Sequence, residues 1–159
     1  MTRTNVLNTN MRILVVEDSE VDMEVLKRML VTSRLSVSLD VARDGREALE
    51  LLLRREGARP RAEGNLPKLI LLDLRLPDMD GIELLRRIKR SPRLYTIPVA
   101  MLTGVSGERP MLECMAAGAN MYFEKPMTME DALAALTTVE TYWKVIAKFI
   151  GGRTRGGEP

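Results

Sequence analysis

The sequence contains no histidine. That absence removes the Ser-His-Asp triad, the imidazole general base and any His-ligated zinc or haem site. It has one cysteine, Cys114, so an internal disulfide and a multi-cysteine metal centre are excluded, and a reducing compartment is compatible. Beside Met111 and Met115, Cys114 reads as a small apolar residue of a helix. Long apolar runs are missing too. Leu69-Ile70-Leu71-Leu72 is far short of the ~20 residues a membrane span needs, and the N-terminal MTRTNVLNTN lacks the apolar stretch of a signal peptide. These absences lead to the expectation of a cytoplasmic protein with no membrane partner. Net charge is small, 24 basic against 22 acidic residues, which gives no sign of a nucleic-acid surface. Arg54, Arg55, Arg59 and Arg61 around one loop, with Arg153 and Arg155 near the end, read as solvated segments. Repeats and coiled-coil heptad arrays are absent. Any chemistry must therefore rest on carboxylates, lysine, hydroxyls and a hard metal ion.

What is present suffices for one domain. The chain has 159 residues, 45% of them hydrophobic, enough to close a core. Residues 1–10 are expected to be a flexible N-terminus, 11–150 the domain and 151–159 a flexible tail. Ile13-Leu14-Val15-Val16 is a continuous apolar run stopped by Glu17-Asp18, as in a strand buried on both faces. Ser19 offers an N-cap, and Val21, Val25, Leu26, Met29 and Leu30 recur at helical spacing. Ser36 to Val41 alternates as a strand. Asp44-Gly45 then turns into a helix with Ala48, Leu49, Leu52 and Leu53 on one face. Gly57 to Pro67 reads as a loop, longer than the usual ~2–6 residues.

The alternation continues. Leu69 to Leu72 is a strand ending at Asp73, and from Gly81 the residues Ile82, Leu85 and Ile88 mark a helix. Ile97 to Leu102 is a strand ending at Thr103. Met111, Leu112, Met115 and Ala116 form a helix that Gly118 closes. Met121-Tyr122-Phe123 is a short strand ending near Lys125-Pro126, and Thr128 with Asp131 forms a variant capping box for the last helix. Five such units predict an α/β fold: a doubly wound, open five-stranded parallel sheet with helices on both faces.

Ligands of such sheets sit beyond the carboxyl ends of the strands. Those ends carry Glu17, Asp18, Asp73, Thr103 and Lys125. Each alone has an ordinary reading as a cap, a turn residue or a surface charge. Together they form an acidic cluster that needs positive charge. Mg2+ suits it, because that ion takes one or two carboxylates and keeps waters. Asp18 and Asp73 would bind directly, Glu17 through a water, and the main-chain carbonyl of Arg75 would complete the protein ligands. A carboxylate is also an adequate nucleophile for an activated phosphoryl group, with Lys125 and Thr103 placed to neutralise the transferring oxygens.

The acidic pair Glu17-Asp18, the segment Leu72-Asp73-Leu74-Arg75-Leu76-Pro77-Asp78-Met79-Asp80-Gly81, Thr103 after an apolar strand, and Lys125-Pro126 carry a resemblance. Over Arg12 to about Phe149 the chain resembles the receiver domain of two-component response regulators. The resemblance implies a flavodoxin-like strand order, 2-1-3-4-5. It implies phosphoryl transfer from a sensor histidine kinase's phosphohistidine to Asp73, contact of Lys125 with the phosphoryl oxygens, and movement of Thr103 toward them. It also implies a switch role for Tyr122, which by itself reads as core packing, and a cis Lys125-Pro126 bond. Gly104 after Thr103 suggests open access. Arg75 and Val105, at positions that tune self-hydrolysis in the family, offer no carboxylate or amide to orient water, so a long-lived phosphorylated state is expected.

Ten residues follow Phe149, too few for an output domain, so output is expected through another protein or a second copy. In the last helix, extended beyond the sheet, Ala132, Leu136, Val139, Trp143, Ile146 and Ile150 recur at 4-3-4-3-4 spacing, the period of a helix-packing seam. Either the last turns fold back on the domain, or Trp143, Ile146 and Phe149 are exposed for a homodimer; the dimer is the favoured reading. The ending Glu140-Thr141-Tyr142-Trp143-Lys144-Val145 resembles single-domain regulators paired with phytochrome-type kinases. The alternatives are a Mg2+-dependent phosphohydrolase, a flavin or nucleotide carrier, and a pseudo-receiver scaffold. The hydrolase usually has an acid where Arg75 stands, the carrier needs a glycine-rich loop that is absent, and the complete acid-Thr-Lys set argues against the scaffold.

Overall fold

The computed structural model describes residues 11–32, 36–58 and 66–156, without the side chains of 55–58 and 150–156. Arg59, Arg61, most of the loop 57–67 and the N-terminal ten residues lie outside the described residues, as do the side chains of Arg55, Ile150, Arg153 and Arg155. Strands and helices alternate: β1 (Met11–Val16), α1 (Glu20–Thr32), β2 (Val37–Ala42), α2 (Gly45–Ala58), β3 (Leu69–Asp73), α3 (Gly81–Arg90), β4 (Val99–Thr103), α4 (Glu108–Ala116), β5 (Met121–Glu124) and α5 (Met129–Gly156). The five strands form one parallel sheet, as the alternation predicts, in the order β2-β1-β3-β4-β5 that the resemblance implied.

Strand alternation divides the core into two layers. Leu14, Val16, Ile70, Leu72, Val99 and Met101 pack toward α2, α3 and α4. Ile13, Val15, Leu69, Leu71, Ala100 and Leu102 pack toward α1 and α5. Three helices show a burial phase different from the one read off their periodicity. In α1, Val21 and Val25 are exposed, and Met23, Leu26 and Leu30 are buried. In α2, Leu53 is exposed while Leu51 packs on the core. In α4, Met111, Leu112, Met115 and Ala116 are all exposed, and Cys114 is the fully buried anchor. A 3.6-residue period is the same for every stripe of a helix; the side that meets the sheet decides which stripe is buried.

The caps are as expected. Ser19 Oγ accepts the Asp22 N–H at 3.2 Å. Thr128 and Asp131 exchange reciprocal 3.1 Å bonds, and Gly118 takes φ +108° just after α4, a conformation that costs glycine little. The β3–α3 loop has a further fastening. Asp78 accepts the Gly45 and Arg46 N–H groups at 2.8 and 2.9 Å, so a residue of that loop covers the N-terminus of α2. Its slight burial works against ionisation, but the two N–H bonds prevail and lower the Asp78 pKa.

The long C-terminal helix does not leave Trp143 free, and this corrects the expected seam. Ala132, Leu136 and Val139 are buried in the domain's own core. Trp143 is half-buried: its Nε1 donates to the Lys68 carbonyl at 2.8 Å, and Lys68 Nζ lies 4.5 Å from its ring centroid. Tyr142 OH donates to the Thr96 carbonyl. Both acceptors precede strands, so the helix is clamped at the edge opposite the strand ends. Ile146 is half-buried, and the exposed apolar side chains of the overhang are Val145 and Phe149, the latter 69% exposed.

Two consequences are measurable by urea unfolding. Trp143→Ala should cost about 2 kcal/mol, less than a full core truncation because the ring is half-buried, and Trp143→Phe, which loses the N–H donor, about 1 kcal/mol. Asp78→Ala should cost about 1 kcal/mol at neutral pH. The folded pKa of Asp78 lies below the unfolded value of about 3.9, so its contribution is complete above that value and is lost as pH falls through the folded pKa. The difference between wild type and Asp78→Ala should shrink on acidification.

Candidate functional site

In-register pairing places the functional side chains on one edge. Val16 pairs with both Ala42 and Leu72, Asp73 with Leu102, and Thr103 with Glu124. Glu17, Asp73, Thr103 and Lys125 therefore leave the sheet together. The first two strand connections run to opposite sides of β1, so this edge is also the topological switch point.

Lys125 is the hub. Its Nζ lies 2.7 Å from Glu17 Oε2, 2.9 Å from Asp22 Oδ2 and 3.2 Å from Asp73 Oδ2. Burial alone would lower its pKa; the bonds to Glu17 and Asp22 and the charge of Asp73 outweigh that and raise it. The ammonium is thus fixed as a cation. Lys125 follows β5 directly and precedes a cis Lys125-Pro126 bond, the isomer that the resemblance implied. Its backbone N–H donates to the Thr103 carbonyl at 2.8 Å.

Glu17 is 5% exposed. Its Oε1 accepts the Ser19 N–H at 2.9 Å. Its Oε2 is paired with the Lys125 ammonium at 2.7 Å. Burial raises the Glu17 pKa most, against the bonds from Lys125 and Ser19. Asp18 stands exposed beside it, and Asp73 is nearly buried, with Oδ1 accepting the Arg75 N–H at 3.2 Å. The Arg75 backbone pairs with Asp80, and Asp80 caps α3 through the Ile82 N–H at 2.9 Å. Gly81 brings α3 close: a Cβ there would lie 2.3 Å from the Asp73 carbonyl, so another residue would push the helix off the loop.

The hydroxyl side is equally defined. Thr103, 1% exposed, accepts the Val105 N–H at 3.0 Å. Tyr122, half-buried against the core, donates its OH to the Val105 carbonyl at 3.2 Å, and burial raises its pKa. The Val105 residue thus touches both Thr103 and Tyr122. Beside them Gly104 is exposed, and a Cβ there would meet nothing within 4 Å, which keeps this flank open.

Three carboxylates, Glu17, Asp22 and Asp73, share one ammonium, and the excess negative charge, with Asp18 next in sequence to Glu17, favours a cation. The donors are hard oxygens, which suit a divalent ion of the Mg2+ type. No cluster of three or more Asp, Glu, Cys or His among the described residues forms a ready cage. A reason is visible: Glu17, Asp22 and Asp73 are turned onto Lys125. An ion that keeps waters and needs one or two carboxylates does not require such a cage.

Asp22 was absent from the sequence-derived set. It lies in the first turn of α1, four residues after Asp18, and the available signal was that position in a helix that starts at a functional strand end. Glu17, Asp18, Asp73, Thr103 and Lys125 lie at this edge, with Arg75 exposed on the loop after Asp73, while Tyr122 stands within β5 and reaches the edge through its OH bond to Val105.

The sequence matches the response regulator receiver domain family over residues 13–137. It is 35% identical over 131 residues to the response regulator Rcp1 of Synechocystis, covering 82% of this chain and 87% of that protein. The Mn(2+)-bound crystal form of Rcp1 superposes with a TM-score of 0.63 at 34% identity, covering 84% and 94% of the two chains. The bacteriophytochrome response regulator RtBRR gives 0.68 at 38% identity, covering 81% and 78%. The phosphorylated cyanobacterial phytochrome response regulator RcpA gives 0.66 at 29%, covering 85% and 94%. With its strand order, acidic edge and Thr103-Lys125 pair on the same sheet, this chain belongs to the response regulator receiver domains of two-component signalling.

Proposed function

We propose that Asp73 is the phosphoacceptor and that the chain takes a phosphoryl group from the phosphohistidine of a sensor histidine kinase. The observation that carries this reading is the Lys125 ammonium held 3.2 Å from Asp73 within a cluster of carboxylates, beside the buried Thr103 hydroxyl. As an Asp73 oxygen bonds to phosphorus, the P–N bond to the kinase imidazole breaks and its electron pair stays on the leaving nitrogen. Lys125 neutralises the transferring oxygens. Thr103 Oγ1 accepts from Val105, which leaves its hydroxyl hydrogen available to a phosphoryl oxygen. Movement of Thr103 would loosen the Val105 segment on which Tyr122 rests, which is how Tyr122 would serve as a switch.

Asp18, Asp73 and the Arg75 carbonyl would hold Mg2+, with Glu17 behind a water; bound there, the ion neutralises charge on the equatorial oxygens. Divalent binding is supported by the Mn(2+)-bound Rcp1 relative, and a phytochrome-type kinase by the names of RcpA and RtBRR. The protein acts as a signalling module in the cytoplasm rather than as an enzyme. Among the described residues no helix is long and apolar enough to cross a membrane. Output passes through a changed surface or a homodimer built on the end of α5, where Val145 and Phe149 are exposed. Arg75, where a phosphohydrolase commonly carries its second acid, disfavours the hydrolase reading.

Intact mass after incubation with a small phosphodonor and Mg2+ should show one added phosphoryl group on wild type and none on Asp73→Asn. Size-exclusion chromatography of the same samples reads the dimer, which Phe149→Glu should weaken. Equal labelling of Asp73→Asn would refute the assignment. Arg75 and Val105 supply no carboxylate or amide to orient water, so the label should outlast seconds at room temperature with Mg2+, as followed by mass over time.

A further inference from the structure

The three carboxylates on Lys125 are not equivalent. Glu17 is 5% exposed and its Oε2 lies 2.7 Å from the Lys125 Nζ, so withdrawal of the ammonium would leave a buried charge without compensation. Asp73 is the nucleophile in the reading above. The Asp22 side chain is 41% exposed, so water can solvate it if the ammonium leaves. Its position is nonetheless fixed, because the Asp22 N–H is held by the Ser19 cap while its Oδ2 reaches Lys125 at 2.9 Å, closer than Asp73 does at 3.2 Å.

A phosphoryl group on Asp73 brings more negative charge and three acceptor oxygens to the same ammonium, which has only three N–H donors. We infer that Asp22 is a positioning residue: it holds Lys125 in the unphosphorylated state and competes with the phosphoryl group for the ammonium. The phosphoryl group takes the place of the solvent-exposed Asp22 and leaves Glu17 paired. Asp22 thereby sets the affinity of the site for phosphoryl oxygens, and its release cuts the tie between the first turn of α1 and the residue that follows β5. The inference rests on the receiver reading.

Beryllofluoride, a tetrahedral mimic of a phosphoryl group on a carboxylate, provides the test. Its dissociation constant is measured by calorimetry for wild type, Asp22→Asn, Asp22→Ala and Asp22→Glu. Each is held at saturating Mg2+, as established by titrating Mg2+ alone. Removal of the competing charge should tighten binding by roughly three- to tenfold in Asp22→Asn and Asp22→Ala, the scale of one charged hydrogen-bond partner. Asp22→Glu should restore the wild-type value. Unchanged or weaker binding in both neutral variants overturns the inference, including the case in which they only melt at lower temperature, as a purely structural role predicts. Absence of binding to wild type, together with no labelling of Asp73, would overturn the receiver reading itself.

Discussion

Lys125 stands where three carboxylates would otherwise repel one another. Without its ammonium, the buried Glu17 would be an uncompensated charge and Asp73 would face Glu17 and Asp22 directly. The same ammonium links the β1–α1 junction, through Glu17 and Asp22, to the end of β3, through Asp73. Its high pKa makes it a permanent cation, so the pairing persists whenever the carboxylates are ionised. A group that enters this edge must share or replace one of those pairings, and that constraint connects the resting fold to the chemistry of phosphoryl transfer.

The nucleophile is positioned by contacts on the other side of the site. The loop from Leu74 to Asp80 is held by the Arg75–Asp80 bridge, by Asp80 capping α3 and by Asp78 capping α2. Gly81 permits α3 to approach the Asp73 carbonyl. The loop therefore has few ways to move without breaking a helix cap, and the Arg75 carbonyl stays near Asp73. On the Thr103 flank the side-chain fastenings are fewer, two bonds to Val105 beside an exposed Gly104. A rigid nucleophile side and a looser hydroxyl side suit a site that must first bind and then report.

Clamping of α5 by Tyr142 and Trp143 shows where periodicity misleads. The repeat from Ala132 through Trp143 has the spacing of a seam between chains, yet the domain uses that stretch for its own sheet and for Lys68. The apolar residues of α4 illustrate the reverse case. Met111, Leu112 and Met115 have the character of a buried stripe, but Cys114 takes the core position and they remain at the surface.

Much of the architecture was legible in the sequence because it depends on local rules. Buried parallel strands read as apolar runs, caps read as Ser19 and Thr128-Asp131, and acids at successive strand ends mark the functional edge of an open sheet. Strand order and the cis bond came from the family resemblance rather than from residue patterns. The sequence by itself therefore determined the elements, the edge and the chemical character of the site. Only the tertiary structure decided which stripe of each helix is buried, that Trp143 serves its own domain, and that Asp22 joins Lys125 across the gap between α1 and β5. Those facts depend on the phase and approach of elements distant in sequence, and a helical period carries no information about what lies on the other side of the contact.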